Sequence, residues 1–247
     1  NVDWWYKGQE TLVGPLETLR YMWYWTLYTD VVVSFEMGKP LFISDDHFDP
    51  SITFDIKPPM AQAADSVTLD KDTAAKLDDP STIEKDVQTR RLSILLEFLK
   101  ISRKCLTEVN GRTTSGNIQE SIDALTQFVD SMFLPIKFYT MKEKIELVDL
   151  FDVVVLSPCL GMLLNFHNIQ RMCLKMKTSK VKNGLVKFGL LSLSLSVNTI
   201  LLMCEKDRVS EKEGKDAAHL NLALFLINPL LIRVLSEMYA LFFYRIS

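Results

Sequence analysis

The chain has 247 residues, 48% hydrophobic and 24% charged, so it is long enough to bury a sizeable core. Its 28 basic and 31 acidic residues leave a net charge of −3, which offers no overall positive field to attract nucleic acid. Length and charge therefore exclude a short disulfide-stabilised module, and they predict that nucleic acid is not a partner.

The four cysteines, Cys105, Cys159, Cys173 and Cys204, are widely separated, with no pair at C-x-x-C or C-x-x-H spacing. Zinc sites and disulfide frameworks usually show such closely spaced ligands or partners. The sequence also contains no N-x-S/T glycosylation site. We therefore predict a reducing, cytoplasmic environment and no bound cofactor.

The first forty residues are rich in aromatic side chains. After Pro15, apolar residues recur at helical spacing and predict a helix that runs into an extended Val31–Val33 segment. Trp23 and Trp25 on this helix are candidate interaction residues. The alternative is that they are bulky core residues, since buried aromatic side chains dominate core energetics.

A change of composition predicts the domain organisation. Residues 51–57 alternate apolar and polar side chains, which is typical of a half-buried strand, and Pro58-Pro59 ends it. Residues 60–79 are polar and almost free of large apolar groups, as in a solvated linker. We predict an aromatic N-terminal section over 1–59, a linker over 60–79 and a helix-rich α/β body over 80–247.

Two helices are indicated most clearly. Ser81 and Glu84 form a capping-box pattern, and a leucine stripe then predicts a helix to about Val109, closed by Asn110-Gly111. A second helix over 118–132 carries an apolar face and is stopped at Leu134-Pro135.

The second half of the sequence favours alternating strands and helices. Short strands are predicted at Ile136–Tyr139 and Phe151–Leu156, and helices at Met141–Leu150 and Leu160–Lys177. Leucines alternate with serines in 191–198, which favours a strand, with a short buried helix as the alternative. The expected fold class is α/β and helix-dominated, with a methyltransferase-like, degenerate Rossmann architecture or a mostly α fold as alternatives.

The C-terminal part is predicted to be a charged loop over 205–216 followed by helices. Asn228-Pro229 fits the start of a new helix better than a helix interior. A membrane span needs about 20 largely apolar residues. Neither Leu190–Met203, with its serines, nor Leu220–Phe243, with its polar residues, is a clean span, so membrane association is only an alternative.

Metal-type ligands cluster in one place, at Asp45, Asp46, His47 and Asp49. Carboxylates beside an imidazole can bind Mg²⁺, Mn²⁺ or Zn²⁺. The cluster lacks the spacing of an EF-hand or a zinc protease, and an exposed acidic loop explains it better. We therefore predict no metal site.

Motifs for catalysis are absent from the sequence. It has no G-x-S-x-G elbow, no phosphate-binding glycine loop and no cofactor loop of a methyltransferase. His167, in an apolar helical segment, is expected to be a hydrogen-bonded structural histidine. These absences favour a protein that is not an enzyme.

A basic run extends from Arg171 to Lys187, and its candidate interaction residues are Arg171, Lys175, Lys177, Lys180 and Lys182. Such a run can contact phosphates or anionic lipid at about 1 kcal/mol per residue near a charged surface. A solvated helix end and loop is the alternative, because runs of charge usually face solvent.

Two segments resemble the dynein axonemal assembly factor 3 family. The opening Val2–Tyr6, together with Tyr21–Trp23 and Phe35-Glu36, is similar to a segment of that family, and Phe151–Ser157 is similar to its late strand. The resemblance implies a cytoplasmic assembly protein with a degenerate methyltransferase-like fold, and it carries over no catalytic residue.

These observations predict a non-catalytic protein–protein interaction, assembly or scaffold protein in the cytoplasm, with protein partners. One alternative is a membrane-associated subunit of a larger complex, which would use the basic run and the last helix at a membrane surface. Another is a methyltransferase-like enzyme.

Overall fold

The computed structural model describes residues 15–48, 80–111, 114–135, 137–141, 149–176, 178–206 and 214–246. In these ranges all regular secondary structure is helical and no strand is present. The chain divides into two compact units, residues 1–113 and 114–247. The helices are α1 Leu16–Met37, α2 Pro80–Asn110, α3 Ser115–Met132, α4 Lys137–Thr140, α5 Leu150–Met172, α6 Ser179–Lys206 and α7 Gly214–Ile246, with a 3₁₀ turn at Asp45–His47.

The first unit contains α1 packed against α2. The predicted first helix is confirmed, but the extended conformation predicted for Val31–Val33 is wrong, because these residues are helical and the helix continues to Met37. It ends at Gly38, whose φ of 60° lies in the left-handed region that glycine adopts without strain. The Gly38 N–H donates to Phe35 O and the Lys39 N–H donates to Ser34 O, so the last turn has its carbonyl groups satisfied.

The helix predicted from the leucine stripe is α2. Its buried apolar side chains include Leu95, Phe98 and Leu99. The predicted end at Asn110-Gly111 is confirmed, with the Gly111 N–H donating to Thr107 O at 3.1 Å. The side chains of the capping-box pattern lie outside the described residues, as do the predicted strand at 51–57 and the linker at 60–79. The predicted division of the chain at that linker therefore stays a prediction.

The second unit is built around α5, which contacts α3, α6 and α7. Helix α3 confirms the second predicted helix, and Thr114 caps it by accepting a hydrogen bond from the Asn117 N–H. The side chains on its predicted apolar face are buried at Ile118, Ile122, Leu125 and Val129.

The predicted strand at Phe151–Leu156 is wrong, because these residues form the start of α5. Asp149 caps this helix by accepting a hydrogen bond from the Phe151 N–H at 3.0 Å. Every side chain from Phe151 to Leu164 is buried, so the helix has no polar face. A helix buried on all sides and a buried strand show the same continuous apolar run.

The predicted strand within 191–198 is also wrong, because these residues lie inside α6. The Ser192 hydroxyl donates to Phe188 O at 2.7 Å and the Ser196 hydroxyl donates to Ser192 O at 2.8 Å. Serine side chains that bond to the preceding helical turn are satisfied without water. The alternation of leucine and serine therefore does not mark two faces of a sheet.

Two shorter predictions are corrected as well. The strand predicted at Ile136–Tyr139 is wrong in its described part, because Lys137–Tyr139 belong to the single turn of α4, where the Tyr139 carbonyl accepts from Asn198 Nδ2 of α6 at 3.0 Å. Pro229 lies inside α7 and does not begin a new helix. The predicted helix-dominated character is confirmed and the mostly α alternative fits, whereas strands and a methyltransferase-like architecture are not supported.

Three helices of the second unit are long and apolar enough to span a membrane by length and composition alone: Leu150–Met172, Ser179–Leu202 and Ala223–Ala240. This finding differs from the sequence analysis, because α6 extends the 190–203 stretch toward its N-terminus and α7 continues through Pro229. Inside the second unit, 89%, 56% and 28% of their apolar windows are buried, respectively. Burial in the helical core thus explains most of the apolar character of α5, but it explains much less of the apolar character of α7.

Candidate functional site

Arg103 is the most highly connected buried polar group that the described part of the first unit contains. Only 2% of its side chain is exposed, and it pairs with Asp30 at 3.2 Å and with Asp45 at 2.8 Å. It also donates to Ile43 O at 2.6 Å. Asp30 in turn accepts the backbone N–H groups of Phe42 and Ile43. Four hydrogen bonds thus engage all three nitrogens of the buried guanidinium, and we interpret the arrangement as structural.

The acidic candidates for a metal site lie on the surface next to this arrangement. Asp45 accepts from Arg103 Nε at 3.0 Å, and the Asp46 N–H donates to Ser44 Oγ, which caps the 3₁₀ turn. His47 ends that turn and is exposed, and Asp49 lies outside the described residues. In the ranges that the structure describes, no group of three or more His, Cys, Asp or Glu side chains is placed to bind a metal ion.

Trp23 and Trp25, the aromatic candidates, are both half-buried on α1. The Trp25 ring packs edge-to-face between Tyr21 and Tyr28, with ring centroids at 6.1 and 5.2 Å. Tyr28 is buried against Phe98 of α2, and burial raises the pKa of its hydroxyl far above the usual value. These packed aromatic rings thus extend from the core of the first unit to its surface.

The basic candidates are not brought together into one site. Arg171, in the last turn of α5, donates to Glu237 of α7 at 3.0 Å and to Asn168 at 2.9 Å. Lys175 is exposed in the turn after α5, with a positive φ of 52°, and Lys177 lies outside the described residues. Lys180 and Lys182 are exposed in the first turn of α6.

Glu237 and Arg171 connect α7 to α5 through partly buried charges. Their side chains are 15% and 16% exposed, and Asn168 Nδ2 donates to the other carboxylate oxygen of Glu237. Burial raises the pKa of Glu237, while Arg171 and Arg233 partly oppose this increase. No motif in the sequence marks Glu237, although a lone acid in an apolar helix is a usable signal for a buried partner.

His167 is buried in α5 and stacks on Phe188 of α6, with ring centroids 5.7 Å apart. Gly184 lies directly against the imidazole, where a Cβ would overlap the ring. His167 Nδ1 and Gln170 Oε1 have no hydrogen-bond partner, so the expected hydrogen-bonded histidine is found buried but not bonded at Nδ1. Burial lowers the pKa of His167; Lys180 lowers it further, and Gln170 and Asp123 oppose the shift.

Among the described residues of the second unit, exposed large apolar side chains are most numerous on α7, where they form one surface. We call it the α7 outer face, and it consists of Phe225, Ile232, Leu235, Tyr239 and Phe243, which are 71%, 60%, 53%, 69% and 59% exposed. The rings of Tyr239 and Phe243 stack with centroids 5.8 Å apart. Scattered exposed apolar residues are ordinary, whereas a contiguous patch of this kind indicates a binding surface.

Comparison with known proteins gives relatives among transcriptional regulators. The chain is 31% identical to transcription factor PDR8 of Saccharomyces cerevisiae, across 100% of the chain and 31% of that protein. It is 29% identical to zinc finger transcription factor YRM1 and 22% identical to zinc finger transcription factor YRR1 of the same organism. These two matches cover 82% and 98% of the chain but 24% and 27% of those proteins. No family model and no solved structure matches.

These relatives contradict several predictions from the sequence. The resemblance to the dynein axonemal assembly factor 3 family is wrong, and so are the functions predicted: interaction, assembly or scaffold protein, membrane-associated subunit, and methyltransferase-like enzyme. The exclusion of nucleic acid and the cytoplasmic or membrane location are wrong too. The chain spans about a third of PDR8 and less of the other two relatives, so its net charge compares with only that part of each relative.

Proposed function

We propose that this chain is a helical regulatory region of a longer transcription factor, and that the longer protein binds DNA in the nucleus. The observation that carries the proposal is the 31% identity to transcription factor PDR8, which extends over the whole chain. The matches to YRM1 and YRR1 cover most of the same residues. The similarity therefore follows the helical architecture as a whole and not one short motif.

Within the longer protein, we assign zinc-dependent DNA recognition to residues outside this segment. Zinc fingers bind their metal through closely spaced cysteine and histidine ligands. The four cysteines of this chain have no such spacing. The described helices also bring no three metal-binding side chains together. The segment is thus proposed to control the activity of the transcription factor and not to determine its DNA sequence preference.

Exposed lysines at the turn between α5 and α6 are proposed to add contacts to DNA phosphates. Lys175, Lys180 and Lys182 are exposed within eight residues of one another, whereas Arg171 is held by Glu237. Each phosphate contact to duplex DNA steepens the dependence of log K on log salt by about 0.9. In the first unit, half-buried Trp23 and Trp25 remain proposed contact residues for regulation.

A tethering experiment tests the proposed function. The chain is fused to a DNA-binding domain from an unrelated protein and expressed in Saccharomyces cerevisiae with a reporter that carries the matching operator. We expect reporter output to differ from that of the DNA-binding domain alone, and an unrelated helical domain of equal length serves as the control. Unchanged output with a folded, expressed fusion would refute a regulatory role.

Binding of the chain alone to duplex DNA tests the proposal that residues outside this segment determine the DNA sequence preference. We expect the chain to bind duplex DNA weakly, with an affinity that falls with salt and does not depend on the DNA sequence. In the triple variant Lys175→Ala, Lys180→Ala, Lys182→Ala, the slope of log K against log salt should be shallower by about 2.7. Preferential binding of the chain to one DNA sequence would instead show that this segment itself recognises bases.

A further inference from the structure

The α7 outer face has the spacing of a helix–helix contact. Phe225, Ile232 and Tyr239 are seven residues apart, and Leu235 lies three residues after Ile232. Apolar residues that recur at alternating steps of three and four form a seam for a second helix of the same kind. Because the opposite face of α7 is buried within the second unit at Leu226, Ile227, Leu230 and Val234, this seam faces solvent.

The exposed side chains that the structure describes on α7 carry no charge. Among the described side chains of α7, those that are exposed are Phe225, Asn228, Ile232, Leu235, Ser236, Tyr239 and Phe243, and none is charged. The charges of Arg233 and Glu237 are directed toward α5, where they contact Gly161 O and Arg171. Two identical copies of this face can therefore meet without placing like charges against each other, which would oppose association.

The area is sufficient for a stable pair. A fully buried aromatic side chain contributes about 150–250 Å², so the three aromatic and two aliphatic residues at their exposed fractions offer on the order of 600 Å² per copy. Two copies would bury roughly 1,200 Å², above the approximately 1,000 Å² that a specific interface should exceed. Closed two-fold pairs, in which the same patch lies on both sides, are the commonest oligomers.

We propose that two copies of this chain associate through their α7 outer faces. The occupant of each face is the α7 helix of the second copy, which has matching heptad spacing and matching lack of charge. The proposal rests on this surface and not on the proposed regulatory function, so either can fail without the other.

Sedimentation velocity of the 247-residue chain over a concentration series tests the pairing. The wild-type chain is expected to form a dimer at about 50 µM, and its dissociation constant is expected to change less than about threefold between 0.1 and 1 M salt, since no charges meet. Leu235→Glu should weaken association at least about 100-fold, because it places a carboxylate in an apolar contact. A monomeric wild-type chain at that concentration would overturn the proposal.

A matched control tests where the contact lies. Leu190 of α6 is 54% exposed, nearly the same as Leu235 at 53%, so Leu190→Glu adds the same charge at the same exposure on a helix that is not part of the α7 outer face. We expect this variant to pair like the wild type, and an equal loss in both variants would overturn the assignment to α7. Tyr239→Gln, with an expected weakening of about tenfold, provides a milder second variant if Leu235→Glu loses helicity by circular dichroism.

Vesicles distinguish a second copy from a lipid surface, since α7 also has the length and composition of a membrane span. The chain is mixed with vesicles of neutral phosphatidylcholine and sedimented. We expect the chain to stay in the supernatant as a dimer. Pelleting that Leu235→Glu abolishes would show that the face binds lipid and would overturn the proposal.

Discussion

Asp30 and Arg103 are 73 residues apart in the sequence and form an ion pair of 3.2 Å, with side chains only 3% and 2% exposed. Asp30 also accepts hydrogen bonds from the backbone N–H groups of Phe42 and Ile43. The pair thus connects α1, α2 and the segment after α1. A buried pair of this kind is strongly destabilising when one partner is removed, because the other charge is left without compensation.

Asp30→Ala is expected to lower the free energy of unfolding of the first unit by about 3 kcal/mol, because Arg103 is left buried with only the largely exposed Asp45 to balance its charge and two backbone N–H groups lose their acceptor. Tryptophan fluorescence during urea unfolding measures this unit alone, since all four tryptophans lie in residues 1–113. Asp46→Ala, at an exposed position of the neighbouring turn, serves as the control and should change stability by about 0.5 kcal/mol or less. Equal losses in the two variants would refute the structural role of the pair.

Gly184→Ala is expected to destabilise the second unit by about 1–3 kcal/mol, because the added Cβ overlaps the buried His167 ring. This loss outweighs the usual gain in helix propensity on replacing glycine. Thermal unfolding followed by circular dichroism measures it, and His167→Ala in the same chain should recover part of the loss. As a control, Gly116→Ala in α3, where a Cβ meets only Thr114 Oγ1 at 3.8 Å, should stabilise the unit by roughly 0.5–1 kcal/mol.

Stability of the second unit should fall as pH falls below about 6.5, the ordinary pKa of histidine. Burial lowers the pKa of His167 in the folded state, so below 6.5 the unfolded chain takes up a proton that the folded chain does not. The loss accumulates until pH reaches the lowered folded pKa. It should be measured as a difference from His167→Gln, because the raised pKa of Glu237 contributes with the opposite sign at lower pH. Parallel pH profiles of the two proteins would contradict this prediction.

Glu237→Ala should reduce the stability of the second unit by about 1–3 kcal/mol, because Arg171 loses a charge-assisted partner in a partly buried position. Amide hydrogen exchange in α7 should accelerate, since the ion pair and Asn168 attach this helix to α5. Asp130→Ala, at an exposed position of α3, is the control and should leave exchange in α7 unchanged. Unchanged exchange in the Glu237 variant would show that apolar packing alone holds α7.

Helices with one apolar stripe were predictable from the sequence. The stripe of α2 and the apolar face of α3 include Leu95, Leu99, Ile118 and Leu125, and all four side chains are buried. The end of α2 was predictable as well, because Gly111 donates its own N–H to a terminal carbonyl group, whereas the end of α1 at Gly38 was not predicted. Elements buried on several sides were not predictable, since α5 has no polar face from Phe151 to Leu164 and the serines of α6 alternate with leucines as the residues of a strand would.

The candidate site residues also include some that were predictable from the sequence and some that were not. Asp45, Lys180 and Lys182 were identifiable as charged residues and are exposed. Arg103 was missed, although a cation four residues after Leu99 on the apolar stripe of α2 was a usable sign of a buried partner. Its connection to Asp30 depends on chain folding over 73 residues, which no local pattern encodes.

The sequence by itself determined that this chain is helix-dominated, where the amphipathic helices lie, and that its cysteines lack zinc-finger spacing. Those properties depend on residue spacing along the chain and on local hydrogen bonds at helix ends. Only the tertiary structure decided that the apolar runs of α5 and α6 are core helices, that Arg103 is paired inside the first unit, and that α7 buries one apolar face and exposes another. The physical reason is that burial depends on which helices pack together, and the same apolar run satisfies a core, a strand or an exposed seam until its neighbours are in place.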